Sequence, residues 1–523
     1  MKLCVMAPLL MQNDRDWMLF VNSLRTLQQA IALKVRRPGS VSLGVSSDVW
    51  WGLVQRSNAN EWNWAYYDRL AWTLFCLNRE RPNLPELHWA PIMSFHQCGG
   101  NVGDSVNIPI PGWAVKNREY VSEKGNACRE YVSLWHDEAV IPYYKKFINA
   151  FARRYSGAFL SMHNNQNCRA PEICELNISC GPAGELRFPS YNSHDRWAYP
   201  HYGFGQGGSY DAWLDYEAYL WRRYSGRPYY GPRQSSAGLM SDSRYYTSDE
   251  GRDFFEWYNH ALIKHGQRMI QAGLDGLDGT PLFKVRIGVK IPGIHWNSAS
   301  NRARPRSGEV LAGLIDPSCS SMEYGQPYLT DGYLKMLWAL VRPQDMKLSY
   351  RASSGRSHSI GRGGREPNDL YLEGGYKLPV MAGAGRREKL DLTIHFTCAE
   401  MPEQVRSEKL PYNPELEPWN KHEPAGWGKM VVDPFSRPQA LVTHVAWCGN
   451  MLPEGDGLEL GIENALAHFP RHYWNNIFKA VSKENYGKTF YEGKTGIPYQ
   501  NINILRLDTA AENSDLFASL IKI

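Results

Sequence analysis

Short runs of β-forming residues recur along the chain, each closed by polar and glycine residues. They are LCVMAPL (3–9), VSLGVSSDVWW (41–51), ELHWAPIMSF (86–95), ICELNIS (173–179), FKVRIGVKI (283–291), LDLTIHFT (390–397), LELGIE (458–463) and INILRL (502–507). Runs this apolar suit strands covered on both faces in a parallel sheet. Between them lie stretches with helical periodicity: 16–33, 61–80, 139–155 and 251–274. Eight strands alternating with helices predict an α/β fold, a single (β/α)8 TIM barrel with long βα loops forming the active-site face. The tail AENSDLFASLIKI has room for one last helix. One domain over 1–523 is expected, with no second domain outside the barrel. The surplus length is expected in loop insertions at about 192–250, 297–330 and 341–389.

Composition narrows the function classes. Hydrophobic residues make up 43% and charged residues 21%, which suits a chain with a large core. A net charge of +5 with no sustained basic stripe gives no case for nucleic acid. No apolar run approaches the roughly eighteen residues of a membrane span. The N-terminal MKLCVMAPLLM reads as a first strand rather than a leader, so a cytoplasmic protein is expected; a monomer is expected as well. The ten cysteines are scattered, with neither a disulfide framework nor paired zinc-ligand spacing. No metal and no cofactor are expected. The segment 351–369 holds four arginines and four glycines and reads as a solvated loop.

In such a barrel the chemistry gathers at the C-terminal ends of the strands. There the sequence carries Asp48, His96 with a glycine loop, Glu185, Lys290, Thr397 with Cys398 and Glu400, Glu463 with Asn464, and Arg506. Two carboxylates on different strands suit glycoside hydrolysis, one protonating the leaving oxygen and the other activating water or attacking directly. Plainer readings stand beside this one. Glu185 and Arg187 share a strand face and can pair as ions. Glu463 can be a solvated charge, His96 a structural histidine, and Glu400 a structural carboxylate.

HQCGGNVGD (96–104) and GPAGELRFPSY (181–191) closely resemble the two signature segments of β-amylases, the exo-acting inverting maltohydrolases of glycoside hydrolase family 14. APL (7–9), DVWWG (48–52), NIPIPGW (107–113), REY (129–131), FFEWY (254–258), KIPGIHW (290–296), FTCAEM (396–401), ENAL (463–466) and LRL (505–507) follow in the family's order. The resemblance implies that Glu185 is the general acid and Glu463 the general base. It implies that Asp48, His96, Asp104, Lys290, His295, Asn464 and Arg506 bind sugars near the scissile bond or hold the two glutamates. Thr397 falls in what resembles a mobile inner loop, Leu466 in an apolar contact to the glucosyl units, and 96–104 in a lid that carries Asp104 to the substrate. The implied substrate is an α-1,4-glucan such as starch, maltodextrin or a glycogen-like polymer.

The chain also departs from the family pattern. Phe188 stands where tyrosine is usual and Ile462 where glycine is usual. AHFPRHY follows ENAL, and Asn177 occupies a position where plant members tend to carry a carboxylate. A catalytically silent glucan sensor or scaffold of the same family is the competing reading. An enzyme with altered chain-length or linkage preference is a third.

Overall fold

Along each of the eight strands, apolar side chains alternate with small or polar ones, and in a strand that alternation decides which way each points. The strands are β1 (Lys2–Met6), β2 (Ser42–Trp50), β3 (Glu86–Ser94), β4 (Glu175–Ile178), β5 (Arg286–Ile291), β6 (Leu392–Phe396), β7 (Leu458–Glu463) and β8 (Asn501–Ile504). All pair in parallel with their sequence neighbours, and β1 pairs with β8, from Lys2 opposite Asn501 to Val5 opposite Ile504, to close the barrel. The computed structural model describes residues 2–99, 104–121, 127–189, 215–216, 218–220, 249–294, 312–314, 331–343, 349–351, 357–359, 375–402, 405–407, 430–432, 438–450, 452, 457–482 and 499–522. Most of the three expected insertions, and His295, lie outside them.

A helix follows every strand: α1 (Asp14–Lys34), α2 (Ala65–Glu80), α3 (Asp137–Tyr155), α4 (Asp249–Leu277), α5 (Asp331–Val341), α6 (Pro438–Asn450), α7 (Trp474–Val481) and α8 (Leu507–Glu512). A ninth, α9 (Ser514–Ser519), lies in the tail and packs against α1. α1 shows why these segments are helical. Trp17, Phe20, Leu24, Leu27 and Ile31 fall on one buried stripe. The Asn13 side chain accepts from the Asp16 N–H, and Asp16 accepts in return from the Gln12 N–H, which caps the helix start. α2 begins at Ala65 rather than at the expected residue 61. The Asn63 carbonyl side chain accepts from the Ala65 N–H, its own N–H reaches Val54 O, and Trp62 stacks on Trp64, so the residues before Ala65 are tied into a turn.

The alternation corrects the expectation of strands apolar on both faces. Leu3, Val5, Val45, Trp89, Leu176, Val289, Ile394, Leu460, Ile462, Ile502 and Ile504 belong to the core shared with the helices. The residues between them are Cys4, Gly44, Ser46, Asn177, Gly288, Thr393, His395, Gly461, Asn501 and Asn503. Barrel interiors are commonly filled by branched apolar side chains; this one is filled by hydrogen bonds. Glu175 accepts from Thr393 Oγ1 at 2.7 Å, from His395 Nε2 at 2.6 Å and from Asn501 Nδ2 at 3.0 Å. Burial raises the pKa of this carboxyl, but the attraction of His395 and the hydrogen bonds from His395 and Thr393 outweigh that and hold it down at about 2. The helices leave no membrane-spanning candidate: among the described residues none is long and apolar enough to cross a bilayer.

Candidate active site

Glu185 leaves the end of β4 through a tight turn at Pro182–Gly184, in which Ala183 has φ 54° and Gly184 φ +81°. A Cβ on Gly184 would also lie 3.2 Å from His96 Cε1, so the position has neither the conformation nor the space for a side chain. Glu130 of REY braces the turn by accepting from the Ala183 N–H at 2.8 Å. Past the turn, the Leu186 N–H donates to Lys290 O, and Glu185 pairs with Lys290 as an isolated parallel bridge. The β4–β5 pairing thus resumes at the barrel mouth and sets Glu185 beside Lys290.

Each candidate catalytic carboxylate has its own pair of donors. Glu185 accepts from Arg187 Nε at 2.8 Å and from Thr397 Oγ1 at 2.7 Å. The ion pair given by the plain reading of this stretch is therefore present. Thr397 Oγ1 itself accepts from the Gly293 N–H at 2.9 Å, so its single proton is committed to Glu185. Glu463 accepts from Lys290 Nζ at 2.7 Å and from Asn503 Nδ2 at 2.6 Å. Both glutamates are buried, Glu185 at 9% exposure and Glu463 at 4%. Sequence reasoning passed over Asn503. The alternation of Asn501 and Asn503 with Ile502 and Ile504 was the signal that two amides face the barrel interior.

Asp48 and His96 complete the polar wall. Asp48 accepts from Ser94 Oγ at 2.6 Å. Burial pushes the Asp48 carboxyl up to about 6, against the pull of Lys290, Ser94 and Arg506. His96 Nδ1 pairs with Ser179 Oγ at 2.8 Å, and the ring meets Trp50 edge-on. Burial, with Lys290 and Arg187 nearby, lowers His96 to about 3, so it works as a neutral imidazole. Ser94 and Ser179 were also missed; serine in a strand carries no distinctive sequence signal.

The glycine-rich segment is described up to Gly99 and again from Asp104. Cys98 and Ile108 exchange backbone hydrogen bonds, and the Gly99 N–H, at φ +105°, donates to Asp104 Oδ2 at 3.0 Å. Asp104 Oδ1 lies 3.6 Å from Arg506 Nη2, so the segment folds toward the end of β8.

The other candidates divide by what their polar atoms touch. Asn464 donates to Leu466 O and Leu505 O and accepts from the Leu505 N–H, each at 2.6 Å. Both donors and an acceptor are thus spent on backbone, and the side chain stitches the ends of β7 and β8 together. Leu466 is half-buried against the core. Glu400 accepts from the Ala465 and Leu466 N–H groups at 2.7–2.8 Å and so clamps the loop after Glu463. Burial nonetheless raises it to about 7. Phe188 stacks on Tyr258 at 3.8 Å between ring centroids.

Comparison with known proteins gives the arrangement its relatives. The chain is 32% identical over 334 residues to the thermophilic beta-amylase of Thermoanaerobacterium thermosulfurigenes, covering 61% of this chain and 54% of that one. It is 31% identical over 330 residues to the beta-amylase of Niallia circulans, covering 60% and 51%. It is 30% identical over 295 residues to that of Trifolium repens, covering 52% and 54%. The chain thus spans about half the length of the curated relatives it matches. Among solved structures, the catalytic domain of beta-amylase from Paenibacillus polymyxa superimposes with a TM-score of 0.59 at 24% identity, over 98% of this chain and 94% of that one, and so shares its fold. The family model for glycosyl hydrolase family 14 matches residues 4–324, whereas Thr397, Glu463 and Arg506 lie beyond that stretch. The match takes in more than half of the chain, the first five strands and Glu185, and by it the chain belongs to glycosyl hydrolase family 14.

Proposed function

We propose that this protein is a β-amylase: an exo-acting, inverting hydrolase of α-1,4-glucosidic bonds that releases β-maltose from the non-reducing ends of starch-like glucans. The observation that carries the reading is the separate support of the two glutamates, Glu185 between Arg187 and Thr397 and Glu463 between Lys290 and Asn503.

In this reading Glu463 takes a proton from a water as that water attacks the anomeric carbon from the face opposite the leaving group. Glu185 protonates the glycosidic oxygen, and the configuration inverts. Lys290 balances the charge beside the base. Both Glu185 oxygens accept hydrogen bonds here, so delivering a proton to the substrate requires Glu185 to exchange the Thr397 or the Arg187 contact for the glycosidic oxygen. Asp48 and neutral His96 offer an acceptor and a ring nitrogen to sugar hydroxyls, and Asp104 closes over them from the lid. The substrate is an α-1,4-glucan, and no cofactor enters the reaction.

The test is digestion of maltoheptaose by wild type and Glu185→Gln, with anomer-resolved NMR of the early products. β-Maltose from wild type and a loss of at least about a thousandfold in kcat in the variant is the expected result. α-Maltose or products of random length would overturn the mechanism. Binding of glucan with no product would move the reading to a silent sensor.

A further inference from the structure

Beneath Glu463 the barrel interior is polar, buried and incompletely paired. Among the described residues, no protein group reaches Asn177 Oδ1, Asn501 Oδ1, Asn503 Oδ1 or His395 Nδ1, although all four atoms are buried. Unsatisfied buried polar atoms are rare, and four in one place call for a partner. These four residues line a single cavity, which Cys4, Ser46, Glu175, Lys290 and Glu463 also border. Its volume is about 10 Å³, about what one water needs. Two glycines open the layer to these side chains. A Cβ on Gly288 would fall 2.0 Å from Asn177 Oδ1, and one on Gly461 2.3 Å from His395 Nδ1.

We infer that this cavity binds one ordered water, that the water accepts from the Nδ1–H of His395, whose Nε2 pairs with Glu175, and donates to Asn503 Oδ1 and a second asparagine oxygen, and that Asn503 so held is a positioning residue for Glu463. The reasoning follows the two ends of one amide. Asn503 Nδ2 donates to Glu463 Oε2 at 2.6 Å and to Ser46 Oγ at 3.2 Å, which turns Oδ1 away from the base and toward the cavity. There Oδ1 needs a donor, and a water supplies one while meeting two or three further polar partners, the usual number for a buried water. The hydrogen bonds then run unbroken from Glu175 through His395, the water and Asn503 to Glu463. The carboxylate proposed to activate the attacking water is thereby aligned from below by a chain rooted at the opposite end of the barrel. This inference rests on the reading of Glu463 as the base.

Two measurements test it. The first needs no activity: a crystal structure of the wild-type chain at better than about 1.8 Å should show a water peak within hydrogen-bond reach of Asn503 Oδ1, of His395 Nδ1 and of Asn177 Oδ1 or Asn501 Oδ1. An empty cavity, or side chains rotated to pair with one another, overturns the inference. The second compares maltoheptaose kinetics of wild type, Asn503→Leu, Asn503→Thr and Asn501→Val, each checked for a wild-type circular dichroism spectrum. Asn503→Leu should lower kcat by about 10- to 100-fold with KM within about twofold, because a donor to a charged group is lost. Asn503→Thr, which keeps a donor, should recover part of that loss. Asn501→Val, which touches the cavity and not Glu463, should lower kcat about 3- to 10-fold. A folded Asn503→Leu with unchanged kcat, or an unaffected Asn501→Val, sinks the positioning role. If wild type hydrolyses nothing, the functional reading fails instead, and the crystallographic result still decides the water.

Discussion

Replacing Ser94 by alanine isolates the contribution of one hydroxyl to the wall of the site. Ser94 Oγ donates to Asp48 Oδ1 at 2.6 Å and lies 3.0 Å from Ile92 O, so the shorter contact to the carboxylate takes the proton. Asp48 stands at about 6 because burial raises it while Lys290, Ser94 and Arg506 pull it back. A hydrogen bond to an ionised group contributes about 1.5–3 kcal/mol and one to a neutral group about 0.5–1.5 kcal/mol. Losing the donor therefore disfavours the charged form by roughly 1–1.5 kcal/mol, or about one pKa unit upward. If ionised Asp48 accepts from the substrate, the acid limb of kcat/KM, which reports groups of the free enzyme, moves toward neutral by about one pH unit. The assay is kcat/KM for maltoheptaose from pH 4 to 9, on wild type, Ser94→Ala and Ser94→Thr. The alkaline limb should hold, and the threonine variant, which keeps its hydroxyl, should stay near wild type. An acid limb that does not move in Ser94→Ala, or that moves to lower pH, refutes the assignment of Asp48 as an ionised acceptor.

Two further substitutions probe the barrel interior. Glu175 sits at about 2 in the folded protein against a reference of 4.5. Its contribution to stability is therefore present above pH 4.5 and is lost as the pH falls toward 2. Glu175→Gln should cost about 2–4 kcal/mol in urea unfolding at pH 7 and distinctly less at pH 3; equal costs at both pH values would contradict the ion-pair account. Gly461→Ala brings a Cβ to 2.3 Å from His395 Nδ1 and should destabilise by about 1–3 kcal/mol. Gly39→Ala meets nothing within 4 Å and should stay within about 0.5 kcal/mol of wild type. A melt that did not separate the two alanine variants would show that the interior yields to the added methyl.

The barrel itself was readable because its outward strand positions must be apolar whatever the inside does. Val5, Val45, Trp89, Val289 and Ile394 announce strands that helices will cover. The inside was misread because sheet burial on both faces usually means apolar residues on both faces, and here Glu175, His395 and the asparagines replace them with hydrogen bonds. Glu185 and Lys290 were legible through their motifs, and the structure sets them side by side across one backbone bridge. Asn503 and Ser94 were not, since an amide or a hydroxyl acquires its part only from the carboxylate opposite it, and that neighbour sits 40 and 46 residues away in the chain. Asn464 was legible as a polar residue at a strand end, but only its three backbone contacts distinguish a stitch from a ligand-binding group.

The pairing of Lys2 with Asn501 has a consequence for how the molecule is made. Of the eight barrel strands, the first to be synthesised is the last to gain its second neighbour, which emerges only after about 500 further residues have been added. At about 5–20 residues per second, that is roughly half a minute to a minute and a half. Throughout that interval β1 can rest on β2 with its other backbone edge open, and an open edge recruits strands from other chains. Lys2, whose ammonium in the finished barrel meets Glu459 at 3.0 Å, stands on that edge during the wait. The same charge that seals the closed barrel can thus act earlier as a deterrent to misassembly, when its partner on β7 has not yet been synthesised.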